Sequence, residues 1–187
     1  MNHLVPPFRL IVLLISMGFV WNLQAQYSIS GNSTMYVGES GFFYVNGSSI
    51  SSVSWSTSSY GTVVSSSGTN ASIQFSRTGS RVVYATVQNY FGSYYNVSKS
   101  VTVNVRNPGN PSIASNSCGV ATLQSSGRPP SGVTWYWQGK SSSGTSTSKG
   151  SGTTYTANEG SGTYYIRARS STGTWSSGSG SVYVTMG

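Results

Sequence analysis

The 187-residue chain has almost none of the side chains that carry out chemistry. It contains no aspartate, and its only acidic residues are Glu39 and Glu159. It has one histidine, His3, and one cysteine, Cys118. Most enzyme mechanisms need a positioned acid or base, an activated nucleophile or a bound metal, and these residue types supply them. The sequence therefore predicts a protein that is not an enzyme, with no catalytic residue, no metal site and no cofactor.

Long apolar runs are also scarce, and the one present stands at the N-terminus. Arg9 precedes an apolar run over residues 10–21, and Ala25 ends a small-residue pattern typical of a cleavage site. The run is shorter than the roughly 20 apolar residues that span a bilayer. Residues 1–25 are therefore predicted to be a signal peptide, cleaved near Ala25, with a membrane anchor as the alternative. A secreted or cell-surface protein without a membrane span in its mature chain follows.

The single cysteine excludes an intramolecular disulfide. After export, Cys118 would face an oxidising environment without a partner in its own chain. An unpaired cysteine in a secreted protein indicates either an intermolecular bond or a buried thiol. Burial is the favoured interpretation, because a free cysteine packs as a small apolar side chain. Stability is then expected to come from core packing.

Acidic charge is scarce, but basic charge is not. Ten Lys and Arg against two Glu give a formal net charge of +8, or +7 once Arg9 is removed with the signal peptide. The basic residues are scattered and form no run, whereas nucleic-acid binders usually cluster them. The charge would therefore keep a Ser-rich surface soluble, or alternatively attract an acidic polysaccharide. No nucleic-acid partner is expected.

What the chain does contain is alternation of apolar and polar residues, which marks half-buried strands. Alternating segments fill residues 26–105 and 112–187, and Pro108, Gly109 and Pro111 interrupt them within residues 106–111. About seven strands are expected in each region, including a short edge strand within residues 140–152. The fold class predicted is all-β, with two tandem antiparallel immunoglobulin-like sandwiches joined by a 106–111 linker.

Several aromatic residues are expected to fill the two cores. In immunoglobulin-like sandwiches a tryptophan on the third strand lies at the centre of the core. Trp55 takes that place in the first region, and Trp135 or Trp137 takes it in the second. Tyr164 stands where such folds carry a tyrosine corner, and Ile166 replaces the cysteine that usually follows two residues later.

A candidate binding face lies on the predicted strands of the second region. The segment Trp135-Tyr136-Trp137 allows either a carbohydrate-stacking platform or core packing, and alternation favours the core. If the tryptophans point inward, other side chains share the outer face of one sheet. That candidate ligand-binding set is Tyr136, Gln138, Arg167, Arg169 and Tyr183. Tyr and Arg are enriched at interfaces, and the alternative is cross-strand pairing that only solubilises the sheet.

Both regions resemble modules of known families. Residues 50–105 are similar to the PKD-like modules of secreted Bacteroidetes proteins. Residues 108–187 resemble an Ig-like module often found beside them. The matching motifs are Val53–Ser56, Gly68–Phe75, Val101–Val103, Cys118–Val120, Pro130–Gly139, Ser161–Ser170 and Trp175-Ser176. The resemblance implies extracellular spacer or adhesive domains, commonly at the N-terminus of large RHS-repeat or cell-surface proteins. Relatives often carry a second cysteine just before the late tryptophan, where this chain has Thr174.

The expected function is a structural or adhesive pair of modules that acts as a spacer or as protein or glycan interaction domains. Its partners would be a surface polysaccharide or another surface protein. The alternative is a carbohydrate-binding protein that uses the Tyr/Arg face. A glycosidase would need Glu39 and Glu159 as a close pair, yet they belong to different predicted domains. The sequence leaves open the oligomeric state, the ligand and whether the chain is the N-terminal part of a longer protein.

Overall fold

The computed structural model describes residues 26–187, so the predicted signal peptide lies outside the described residues. The secondary structure of this part consists of fourteen β-strands. No helix in residues 26–187 is long and apolar enough to cross a membrane.

Eight strands between Ser28 and Asn104 form two four-stranded sheets. They are β1 (Ser28–Gly31), β2 (Thr34–Tyr36), β3 (Ser40–Asn46), β4 (Ile50–Thr57), β5 (Gly61–Ser67), β6 (Asn70–Phe75), β7 (Gly79–Asn89) and β8 (Tyr94–Asn104). One sheet has the order β1-β3-β6-β5 and the other the order β2-β8-β7-β4. The β2–β8 pair is parallel, which departs from the predicted all-antiparallel arrangement, and the other pairs are antiparallel.

Both of these sheets contribute to one hydrophobic core. Phe43, Ile73 and Phe75 enter it from the first sheet, and Val83 and Val101 enter it from the second. The alternation in β3 and β7 places every second side chain on the inner face, as the period of a strand requires. Two sheets packed face to face over a shared core make a β-sandwich, here called the first sandwich.

Six strands between Ser112 and Val184 form two three-stranded sheets. They are β9 (Ser112–Ser117), β10 (Val120–Gln124), β11 (Val133–Gly139), β12 (Thr154–Ala157), β13 (Gly162–Ser170) and β14 (Gly180–Val184). The sheet orders are β12-β10-β9 and β11-β13-β14, and each pair is antiparallel. Leu123 and Ala157 from one sheet pack with Trp137 and Ile166 from the other. This is the second sandwich, and it confirms the all-β fold class that the alternation predicts.

Two local predictions for this sandwich are wrong. Residues 140–153 form a loop and not an edge strand, while β9, which lacks apolar alternation, pairs with β10 instead. Cys118 is exposed and not buried. It lies with Gly119 in the tight turn between β9 and β10, where side chains project into solvent, and its thiol donates to the carbonyl of Gly187 at 3.4 Å.

The segment between the sandwiches packs along the start of β14. Asn107 Oδ1 accepts a hydrogen bond from the amide of Gly178 at 2.8 Å. Asn110 Oδ1 accepts one from the amide of Ser181 at 3.0 Å. The backbone of Gly109 passes so close to Gly180 that no Cβ would fit there. The Pro/Gly-rich segment is therefore held by backbone-directed hydrogen bonds instead of running free through solvent.

Candidate functional site

The predicted binding face lies on the sheet β11-β13-β14, whose central strand is β13. Tyr136 lies opposite Arg167, and Thr134 lies opposite Arg169. Farther along β13, Tyr183 of β14 lies opposite Thr163. Since alternate residues of a strand share a face, Tyr136, Arg167, Arg169 and Tyr183 all belong to the outer face of this sheet.

Trp175 covers the centre of this face. It forms a β-bridge with Arg169 from the loop that follows β13. Its ring lies 5.6 Å from the guanidinium of Arg167 and 5.8 Å from that of Arg169. The ring of Tyr136 tilts against it with centroids 5.6 Å apart. These four residues, here called the Trp175 cluster, form cation–π and aromatic contacts with one another.

Arg167 is only 9% exposed because its guanidinium holds two loops in place. Nη1 donates to the carbonyls of Ser143 and Gly144 at 2.9 and 3.0 Å. Nη2 donates to the carbonyl of Ser176. A guanidinium presents its donors in a fixed planar fork, so it can reach carbonyls on both sides at once. The prediction that Arg167 belongs to an exposed patch is therefore wrong.

Ser176 fixes the loop that carries Trp175 to the edge of β13. Its amide donates to the carbonyl of Ala168 at 2.8 Å. Its hydroxyl accepts from the amide of Ala168 at 3.1 Å and donates to the carbonyl of Gly178 at 2.7 Å. The pair Trp175-Ser176 thus lies alongside the last residues of β13. In the sequence, only the family resemblance marked Trp175-Ser176. The two arginines on one face of β13 were the local signal that another part of the chain contacts this face.

Gln138 is also unavailable to a ligand, contrary to its place in the predicted set. It is 2% exposed. Its amide nitrogen donates to the carbonyls of Tyr136 and Ser146, and its amide oxygen accepts from the amide of Ser146 at 2.9 Å. The register of β11 shifts between Trp137 and Gly139, and the 140–153 loop closes over the side chain. A bulge of this kind re-aims a side chain relative to simple alternation.

Of the predicted set, the structure brings together Tyr136, Arg167 and Arg169. Tyr183 is 63% exposed and lies four residues along the sheet from the rung of Arg167, a distance of about 13 Å. The face is therefore a covered cluster with a separate exposed tyrosine, and not one open Tyr/Arg patch.

The predicted core residues divide into two groups. Trp137, Tyr164 and Ile166 are fully buried. Trp55 and Trp135 are only partly buried and pack at the margins of the first and second cores. Within residues 26–187 the indole nitrogen of Trp55 is buried without a hydrogen-bond partner.

Tyr164 makes the corner that its position in the sequence indicates. Its hydroxyl donates to the carbonyl of Gly160 at 2.8 Å and accepts from the amide of Glu159 at 3.1 Å. Trp137 is fixed in a similar way. Its indole nitrogen donates to the carbonyl of Gly152 at 3.1 Å, and its ring stacks on Tyr155 with centroids 5.2 Å apart.

Each of the two carboxylates in residues 26–187 is bound by a cation of its own sandwich or of the adjoining segment. Arg106 donates to Glu39 at 2.5 and 2.7 Å. Lys149 donates to Glu159 at 2.6 Å. These hydrogen bonds raise the pKa of Arg106 and the pKa of Lys149 above their usual values. No group of three His, Cys, Asp or Glu side chains in the described part of the chain is placed to hold a metal ion.

Sequence comparisons leave the family open. No model of a known protein family matches the chain. No curated protein matches it in sequence.

Solved structures with a similar fold are numerous but distant. The fibronectin(III)-like modules of Clostridium thermocellum CbhA match 84% of this chain and 94% of theirs, with 15% identity and a TM-score of 0.34. The tandem Ig repeats of Dlar match 86% of this chain and 98% of theirs, with 19% identity and a TM-score of 0.30. The SGBP-B protein of a Bacteroides ovatus mixed-linkage glucan utilization locus, in complex with a heptasaccharide, matches 84% of this chain and 44% of its own, with 14% identity and a TM-score of 0.26. Similarity at this level carries no information about ligands.

The contacts of the Trp175 cluster decide what this face can do. Its cations and aromatic rings already contact each other or bind loop carbonyls, so the cluster stabilises the second sandwich. Arg169 adds positive charge at the rim, and Tyr183 adds an exposed ring elsewhere on the sheet.

Proposed function

We propose that this protein is a non-catalytic, extracellular or cell-surface pair of modules with a spacer or adhesive role. The modules are residues 26–105 and 112–187, joined by the linker 106–111. The observation that supports the non-catalytic part of this proposal is that both side-chain carboxylates in residues 26–187 are already bound by other groups of the protein. Glu39 and Glu159 are each held by a cation, and the guanidinium of Arg167 binds three backbone carbonyls.

The linker contacts support a spacer role. A spacer must transmit position, and that requires a joint with few free rotations. Asn107 and Asn110 bind the backbone next to and within β14. At the same junction, the hydroxyls of Thr78 and Thr174 lie 3.2 Å apart, and Val133 packs against the first core. A joint of this kind would hold the two sandwiches at a defined angle.

Location is the first test. We expect the product in the secreted or cell-surface fraction of the producing cell to begin near Gln26, as read by mass spectrometry of its N-terminal peptide. A product that stays in the cytoplasm with residues 1–25 attached would contradict the proposal. A much longer product carrying the same peptides would assign these modules to a larger surface protein.

The joint can be tested separately with spin labels. Cys118 is exposed in the second sandwich and accepts one label, and Ser54→Cys on the exposed face of β4 provides the other. We expect a narrow distribution of label distances that broadens in the Asn107→Ala/Asn110→Ala variant. A broad distribution in the unaltered joint would contradict the spacer role while leaving the extracellular location untouched.

The Tyr/Arg face is the weaker candidate for a glycan site. Arg167 and Gln138 are buried beneath loops, and the ring of Trp175 packs against Tyr136. Removing these contacts would destabilise the sandwich, so a loss of binding in such variants would not by itself identify a site.

A further inference from the structure

The first sandwich exposes two aromatic side chains on a strand where its neighbours are mostly small and polar. In β3, Gly41, Phe43 and Val45 face the core, and Phe42 and Tyr44 face solvent. Phe42 is 73% exposed and Tyr44 is 46% exposed. The outward positions of the adjoining strands β1 and β6 carry only Ser, Asn and Gln, which are ordinary residues for a solvent-facing surface. Large exposed aromatics at such positions are a sign of a contact surface.

These two rings form one wall of a groove of about 230 Å³ across strands β3, β6 and β5. Two rungs of the sheet build it. In the first rung Phe42 lies opposite Ser72, which lies opposite Ser65. In the second, Tyr44 lies opposite Asn70, which lies opposite Ser67. The groove therefore has an aromatic wall on β3, a polar floor on β6 and a hydroxyl wall on β5.

A β-bulge in β5 produces the hydroxyl wall. Val63 lies opposite Ile73 and packs on the core, and Val64 is the extra residue before Ser65. In an unbroken strand Ser65 would share the inward face of Val63. The bulge shifts the register by one residue, so that Ser65 and Ser67 lie opposite Ser72 and Asn70. Bulges are frequent where an edge strand must redirect its side chains.

The whole sheet around this groove lacks charged side chains. Strands β1, β3, β5 and β6 contain no Asp, Glu, Lys, Arg or His, in a chain with a formal net charge of +8. Recognition of an acidic partner depends on cations near the contact, and recognition of a basic one depends on carboxylates. The groove provides neither, and this favours an uncharged ligand.

We propose that this groove binds a neutral polysaccharide. A pyranose ring presents a face of C–H groups and a rim of hydroxyl groups. The first matches the rings of Phe42 and Tyr44, and the second matches the exposed hydroxyls of Ser65 and Ser67 with the amide of Asn70. Phe42 and Tyr44 are two residues apart, which spreads the aromatic wall over about 7 Å. A purely apolar protein segment would leave the hydroxyl wall without partners.

This proposal is a property of the first sandwich and does not depend on the role proposed above. It also involves a different sheet from the Trp175 cluster. It can therefore fail while the extracellular module pair stands, and it can hold if the spacer role fails.

The test is affinity electrophoresis of the purified protein through gels that contain one soluble polysaccharide each. The probes are barley β-glucan, galactomannan and dextran as neutral chains, with alginate as the acidic control. We expect at least one neutral chain to retard the protein, and the retardation to be unchanged between low and high salt, because no ion pair contributes to it.

One double aromatic variant and one matched control locate the site. Phe42→Ala combined with Tyr44→Ala should weaken retardation about tenfold or more, since both stacking rings are lost. Tyr84→Ala is the control. Tyr84 is 42% exposed in the same sandwich but on the outer face of the other sheet, and its loss should change nothing. All three side chains are exposed, so thermal unfolding should be nearly the same in each variant.

Variants of the hydroxyl wall distinguish a glycan ligand from an apolar protein partner. Ser65→Ala combined with Ser67→Ala should weaken retardation severalfold if sugar hydroxyls bind there. Three results would overturn the proposal. They are no retardation by any neutral chain, equal loss with Tyr84→Ala, and a self-association that Phe42→Ala abolishes in the absence of glycan binding.

Discussion

The chain has a single cysteine, so neither sandwich contains an internal disulfide, and the two are stabilised in different ways. The first uses two long strands, β7 and β8 of eleven residues each, over a core of aliphatic side chains and Phe43 and Phe75. The second has shorter strands and a smaller core around Trp137 and Tyr164. Among residues 26–187, the buried polar side chains are Asn89 in the first sandwich and Ser125, Gln138, Arg167, Ser170 and Ser176 in the second.

The comparison shows that a small core can be completed by hydrogen bonds. Burial of apolar area stabilises in proportion to the area removed from water, and the second sandwich has less of it to bury. Gln138 and Arg167 instead bind loop carbonyls, so that loops without apolar residues still close over the sheet. Loss of a single polar side chain should therefore lower the free energy of unfolding little in the first sandwich and more in the second.

The largest expected effect is that of Trp137→Ala. The change removes a fully buried ring, its stack on Tyr155 and its bond to Gly152. We expect a loss of about 3–5 kcal/mol in the free energy of unfolding of the second sandwich. Hydrogen exchange should show lost protection in β10–β14 with little change in β3–β8. Trp55→Ala, at the margin of the larger core, should cost less, and an equal loss would break the comparison.

Arg167→Met should rank next. It leaves the carbonyls of Ser143, Gly144 and Ser176 without their donor, at a cost of about 2–3 kcal/mol. Faster hydrogen exchange in residues 143–146 is the signature of a released loop. Arg169→Met is the matched control, because that guanidinium lies over Trp175 and its loss should cost only about 1 kcal/mol. If both variants unfolded alike, the cation–π contacts and not the carbonyl bonds would be the main contribution of the cluster.

Tyr164→Phe tests the hydrogen bonds of the tyrosine corner in the second sandwich. The change keeps the ring in the core and removes only the bonds to Gly160 and Glu159, at a cost of about 1–2 kcal/mol. Urea denaturation measures it directly. Tyr165→Phe, on the neighbouring half-buried position, serves as control and should be nearly neutral. A neutral result for Tyr164→Phe would mean that packing alone positions the corner.

Residues with a local signal were predictable in this fold. The strands of both cores follow from apolar residues in alternation, and Tyr164 follows from its place two residues before Ile166. Strand β9 has no such signal, because its residues are exposed throughout and no alternation marks it. The burial of Arg167 and Gln138 has no local signal for a different reason. Both have the composition of surface residues, and only loops distant in sequence bury them.

Local sequence patterns do not predict the groove of the first sandwich either. The run Gly41–Val45 is apolar at nearly every position, so it does not show that Phe42 and Tyr44 face solvent. The hydroxyl wall depends on a bulge in β5, and the register of a bulge is settled by pairing with β6. Contacts between strands, and not the composition of either strand, place the aromatic and hydroxyl walls across from each other.

The smallest expected effect concerns the two side-chain ion pairs found within residues 26–187. Glu39 binds an arginine and Glu159 binds a lysine, so only the second pair can lose its cation at accessible alkaline pH. The hydrogen bond to Glu159 raises the pKa of Lys149 above its usual value of 10.5. The contribution of this ion pair to stability is therefore complete below pH 10.5. It is lost as the pH rises through the higher pKa that Lys149 has in the folded state. The pair is exposed, and the effect should be small.

Tyr155 must be separated from this effect, since burial raises its pKa above 10.0 and stability declines in the same alkaline direction. Lys149→Arg keeps the pair charged and leaves Tyr155 in place. We expect the decline in stability above pH 10 to be shallower in this variant than in the unaltered protein, as measured by urea denaturation at each pH. An NMR titration of the Lys149 ammonium should give a pKa above 10.5 that returns to its usual value in Glu159→Gln. An identical decline in both proteins would mean that Lys149 contributes nothing and that the tyrosine accounts for the pH dependence.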